Sequence, residues 1–182
     1  MRDLIRRLLP ALALVLGACR ADPNADAPLT SSTSEAAPPA AAPSPSPASA
    51  EGETWNASQI DWQPYEAGLA RAKAENKPVC LIFYTSWCPH CKTYSRVFDD
   101  PRVVTRARNF VMIRLNADDH SDIARKFVKD GGYIPRTFFL AADGTPDFSI
   151  HAARDKFMYF YDEHNPASIL GGMDEAERKL RN

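Results

Sequence analysis

The chain has 182 residues, 45% hydrophobic and 25% charged, and a formal net charge of −1, the profile of one soluble domain with added segments rather than a strongly basic nucleic-acid binder. None of its 3 Trp, 6 Tyr and 9 Phe residues precedes Trp55, so the first 54 residues cannot furnish a core. Residues 20–55 carry a net charge of −4 and residues 56–182 a net charge of +1, which excludes a field strong enough for a polyanionic partner.

Residues 1–18 read as a secretory signal, with Arg2, Arg6 and Arg7 ahead of the apolar run Leu8 to Leu16. That run is too short to span a bilayer, which takes about 20 apolar residues. It ends in Leu16-Gly17-Ala18-Cys19, which resembles the bacterial lipobox and implies that Cys19 becomes a lipidated N-terminus. Each buried acyl CH₂ contributes about 0.8 kcal/mol, so a multiply acylated Cys19 would hold the protein on a membrane surface. Arg20 follows the cysteine where an aspartate would signal retention, so the expected location is the periplasmic face of a bacterial membrane, the outer in preference to the inner. Of the 34 residues from Arg20 to Glu53, 10 are Ala, 7 Pro and 6 Ser. Residues 19–54 are therefore expected to be a disordered tether, spanning about 30 Å on average and roughly 100 Å when drawn out.

Residues 55–182 are long enough for one domain with its own core. Tyr65 to Asn76 has helical composition and is stopped by Asn76 and Pro78. The continuous apolar run Val79 to Thr85 predicts a central strand buried on both faces. Ser86-Trp87-Cys88-Pro89-His90-Cys91-Lys92 leads into a helix reaching Phe98, and Asp100-Pro101 opens another short helix. Phe110 to Asn116 is a second buried strand, and Ser121 to Asp130 a helix closed by Gly131-Gly132. After Ile134-Pro135, Arg136 to Ala141 forms a strand that Asp143-Gly144 turns back into a further strand near Phe148. Asn165 caps a last helix with Pro166 at its first position and Ile169, Met173, Ala176 and Leu180 on one face; Gly171-Gly172 weakens it. The order strand, helix, strand, helix, hairpin, helix resembles the thioredoxin fold, an α/β mixed sheet flanked by helices.

Cys88 and Cys91 stand two residues apart at a strand-to-helix junction. A cysteine at a helix N-terminus meets unpaired N–H groups that favour the thiolate, the species that attacks disulfides, and the spacing lets Cys91 resolve the mixed disulfide. His90 adds to that preference, and Trp87 and Pro89 are expected to wall the exposed sulfur. In the thioredoxin plan Pro135 is cis and packs beside the cysteines, leaving the backbone of Ile134 free for an extended substrate.

Three further blocks resemble the anterior-gradient group of thioredoxin-domain proteins of the endoplasmic reticulum: Ile60-Asp61-Trp62 with Tyr65 to Leu69, Gly132 to Arg136 with Phe139-Leu140, and Lys156 to Tyr161. The resemblance implies disulfide exchange on exported protein thiols or disulfides, without a cofactor, with Cys88 as nucleophile, Cys91 as resolving thiol and Pro135 as cis-proline. Ordinary thioredoxins bury an acid six residues before the first cysteine, where this chain has Ile82. The Pro-His dipeptide resembles that of DsbA-type oxidants, whose potentials lie near about −120 mV against about −270 mV for thioredoxin, implying an oxidant or isomerase poise.

Cys80, in an apolar strand, reads as a small buried hydrophobe. His120, His151 and His164 lie in polar surroundings, and Asp118-Asp119-His120 reads as a solvated loop. Zinc needs two more ligands with suitable spacing, and haem attachment needs a histidine where Lys92 stands. The aromatic run Phe157 to Tyr161 reads as core or edge. Two other functions fit the same fold: a peptide-binding or chaperone-like domain whose cysteines are incidental, and a copper-handling protein. The latter class usually spaces its cysteines by three and adds a distal histidine, so Cys88 and Cys91 argue against it. The exchange reading also requires a separate redox partner to recharge the pair.

Overall fold

The computed structural model describes residues 55–181; the expected signal at 1–18, Cys19 and the tether through residue 54 lie outside the described residues. The elements follow in the order β1 (Trp62–Gln63), α1 (Tyr65–Glu75), β2 (Val79–Tyr84), α2 (Pro89–Ser95), a 3₁₀ turn (Arg96–Asp99), α3 (Pro101–Ala107), β3 (Val111–Asn116), α4 (Ser121–Lys126), β4 (Arg136–Leu140) and α5 (Pro166–Leu180). The sheet runs β1-β3-β2-β4. β1 and β2 lie parallel to β3, and β4 lies antiparallel to β2, the expected mixed sheet flanked by helices.

Strand alternation sends the side chains of β2 to two separate cores. Cys80 and Ile82 join Tyr94 of α2, Val103 of α3 and Ile169 and Met173 of α5 on one face. Val79, Leu81 and Phe83 join Ala72 of α1 and Ile123 of α4 on the other. That is why β2 reads as an unbroken apolar run: every one of its side chains except Tyr84 is buried. Each such Leu, Ile or Phe contributes about 1.5–3 kcal/mol.

The helix boundaries have local causes. Asn76 ends α1 in the left-handed conformation at φ 50° and ψ 44°. The Asp100 carboxylate accepts from the Arg102 N–H at 2.8 Å and starts α3. Asn165 accepts from the Ala167 N–H at 3.0 Å, with Pro166 next, and starts α5.

Three expectations change. The strand expected near Phe148 is absent: β4 is followed by a turn and a single antiparallel bridge, Leu140 to Pro146. Pro146 has no N–H with which to extend a ladder. The fourth strand is instead the two-residue β1, paired with Met112 and Ile113. Finally, α4 stops at Lys126 rather than Asp130. The buried Arg136 guanidinium donates to the carbonyls of Phe127 at 2.9 Å and Ala124 at 3.5 Å, taking acceptors that a longer helix would use for itself.

Candidate active site

Cys88 is the N-cap of α2, in extended backbone geometry, with Pro89 at the first helical position. Its sulfur accepts the Cys91 backbone N–H at 3.4 Å, and its thiol donates to the Ile134 carbonyl at 3.7 Å. The Ile134–Pro135 peptide bond is cis. The two halves of the expected site, 46 residues apart in sequence, thus meet at one sulfur atom.

The Cys88 sulfur is less open than expected: the residue is only 4% exposed, because the Ile134 segment lies against it. It still lines a cleft of about 480 Å³ with Trp87, Pro89, His90, Tyr133 and Ile134. Cys91, one helical turn inward, is fully buried. Both residues are thiols.

Trp87 is two-thirds exposed, and its indole N–H donates to Asp118 at 2.7 Å. Asp118 is therefore part of the wall beside the cysteines and not merely a solvated loop residue. His90 is exposed at the cleft mouth, and its Nδ1 lies 2.9 Å and 3.0 Å from the two carboxylate oxygens of Glu163. Glu163 also lies 3.4 Å from His164 Nε2. Sequence reasoning singled out neither Glu163 nor the Asp118 contact: nothing local marks a partner 73 or 31 residues away.

Beneath the cysteines the surroundings are apolar. Ile82 is completely buried in the cluster that holds Cys88, Cys91, Tyr94 and Phe98. The Tyr94 hydroxyl shares a hydrogen bond of 3.0 Å with Thr137, and burial pushes its ionisation well up. Burial likewise pushes the Cys80 thiol far up, in keeping with its reading as a packing residue. Among the described residues, no group of three or more His, Cys, Asp or Glu side chains is arranged to hold a metal ion.

A family model described as thioredoxin-like matches residues 61–142, a stretch that contains β1 through β4 and both cysteines of the pair. The domain's fold is thioredoxin-like. The chain is similar to the anterior gradient protein 2 homolog of Homo sapiens, 28% identical over 131 residues that cover 70% of this chain and 71% of that protein. Anterior gradient protein 1 of Xenopus laevis is 29% identical over 133 residues, covering 70% of this chain and 69% of that one. Among solved structures, a thioredoxin from Thermus thermophilus shares the fold with a TM-score of 0.51 at 23% identity, over 64% of this chain and 86% of that one. The thioredoxin-like domain thus places its Cys88-Pro89-His90-Cys91 turn and its cis-proline segment side by side at the ends of β2 and β4.

Proposed function

We propose that the protein is a membrane-tethered thiol–disulfide oxidoreductase that exchanges disulfides with exported proteins. The observation that carries this reading is the Cys88 sulfur itself: it accepts the Cys91 N–H at the start of α2 and lines the cleft. An N–H directed at sulfur stabilises negative charge there, as the attacking species requires.

In the reducing direction the Cys88 thiolate attacks one sulfur of a substrate disulfide. The substrate S–S bond breaks, a Cys88–substrate disulfide forms, and the departing substrate sulfur leaves as thiolate and takes up a proton from solvent. Cys91, deprotonated, then attacks Cys88 Sγ, forming the Cys88–Cys91 disulfide and releasing the second substrate thiol. Two electrons pass to the substrate. The same steps in reverse oxidise a substrate dithiol, and a separate exported redox protein restores the pair. Trp87, Pro89 and Ile134 form the surface against which an extended substrate segment lies; Pro135 holds Ile134 there. Lipidation of Cys19 keeps the domain at a periplasmic membrane face, the outer membrane in preference to the inner.

Replacing the resolving thiol tests the reading. Cys91→Ala removes the second attack while leaving the first, so exported proteins accumulate as mixed disulfides on Cys88. These appear as dithiothreitol-sensitive high-mass bands that vanish in a Cys88→Ser, Cys91→Ala variant. If no adduct forms, and a Cys88→Ser, Cys91→Ser variant performs the cellular role in full, the domain is a binding module instead.

A further inference from the structure

The Cys-Pro-His-Cys turn is tied from outside by one carboxylate. Glu163 lies just before α5, 73 residues after His90, and both its oxygens sit within hydrogen-bond distance of His90 Nδ1, at 2.9 Å and 3.0 Å. Its side chain is only 11% exposed whereas that of His90 is 61% exposed, so the anchor is sheltered and the ring it holds faces the solvent side of the site. The ring is held from a second direction by Phe160, edge to face at a centroid distance of 5.8 Å. Phe160 is in turn held through its own carbonyl, which accepts from the Arg154 guanidinium at 2.7 Å.

An ionised carboxylate only accepts hydrogen bonds. The Nδ1 facing it must carry the proton, and in the neutral imidazole the lone pair then resides on Nε2. This is the reverse of the tautomer that a solvated histidine mostly adopts. We propose that Glu163 is a positioning residue of the exchange site, holding His90 by Nδ1 in a single orientation beside Cys88 and so setting the dithiol–disulfide equilibrium of Cys88 and Cys91. The inference rests on the exchange reading above. The reduced pair supplies the ionised sulfur, and His90, which lines the same cleft as Cys88 while its Nδ1 edge is held by Glu163, places a positive charge at a fixed point near that sulfur whenever the ring is protonated. Released from Glu163, the ring no longer gives this support.

Full-length protein with ¹⁵N-labelled histidine provides the first readout. At a pH where the ring is neutral, His90 is expected as the Nδ1–H tautomer. Glu163→Ala is expected to convert it to Nε2–H, whereas Glu163→Gln, which keeps an acceptor oxygen, retains Nδ1–H. The second readout is the equilibrium of the pair with glutathione. Glu163→Ala should shift it at least threefold toward the disulfide, and by less than 1.5-fold when His90 is already alanine. A wild-type Nε2–H tautomer, or the same shift with and without His90, overturns the proposal. A wild-type pair that does not equilibrate with glutathione at all overturns the exchange reading instead, and the tautomer alone then decides whether Glu163 positions the ring.

Discussion

Ile82 sits where an ordinary thioredoxin has a buried acid, and its side chain, completely buried, shares one apolar cluster with Cys88 and Cys91. Among the described residues no Asp or Glu side chain is buried. Tyr94 is kept protonated by burial, and its hydrogen bond is spent on Thr137. Ile82→Asp places a carboxyl at this position with no partner and is expected to cost about 3 kcal/mol even when neutral, from lost packing and an unpaired polar group. Burial raises the folded-state pKa of such a carboxyl above its unfolded value of about 3.9. The folded state then holds the proton more tightly, so the penalty is smallest below that unfolded value and grows as pH rises toward the raised folded-state pKa. Urea unfolding at pH 4 and pH 8 should show the larger loss at pH 8. A loss independent of pH would mean that the site is wetter than its geometry allows.

At the scale of elements, the two glycines inside α5 divide sharply. A Cβ on Gly171 would meet nothing within 4 Å, whereas one on Gly172 would lie 2.6 Å from the Tyr161 hydroxyl oxygen. Tyr161 is 1% exposed and packs edge-on to Phe139, so its ring cannot step aside. Gly171→Ala is expected to stabilise the protein by about 0.5–1 kcal/mol through helix propensity alone. Gly172→Ala gains the same propensity but overpacks the core, and should lose about 1–3 kcal/mol net; paired guanidinium melts compare the two directly. The sequence shows the glycine pair but not which member is spent on packing, because Tyr161 approaches from a separate segment. The same limit explains the rest of the record. β2, β3, β4 and the caps at Asn76, Asp100 and Asn165 are legible because their signals are local: apolar runs, a cap residue, a proline. β1 is not, since two residues carry no periodicity and Trp62 and Gln63 become a strand only by pairing with Met112 and Ile113. The strand expected near Phe148 rested on the Asp143-Gly144 turn, but Pro146 restricts the returning segment to one bridge. The cysteine pair is legible as a motif, while Glu163 and Asp118 become part of the site only through the path of the folded chain.

For the molecule as a whole, the proposed attachment to a membrane is assigned to Cys19. Among the described residues no helix is long and apolar enough to cross a bilayer. Residues 20–55 carry a net charge of −4, which an anionic lipid surface repels, where about 1 kcal/mol of attraction per Lys or Arg would be needed to hold a peripheral segment. At about 0.8 kcal/mol per buried CH₂, one acyl chain holds only reversibly and two or more hold firmly. Cys19→Ser is thus expected to move the protein entirely from the membrane pellet to the soluble fraction of the same compartment, with no dependence on the salt of the wash. Cys19 lies 69 residues before Cys88, on the far side of a Pro-, Ala- and Ser-rich stretch, so the same variant should leave the glutathione equilibrium of Cys88 and Cys91 unchanged. Sedimentation of fractionated cells and a redox titration of the released protein check the two halves of this expectation. A Cys19→Ser protein that stays in the pellet would locate the attachment in the folded domain or in a partner, and would make the tether a spacer for something other than lipid.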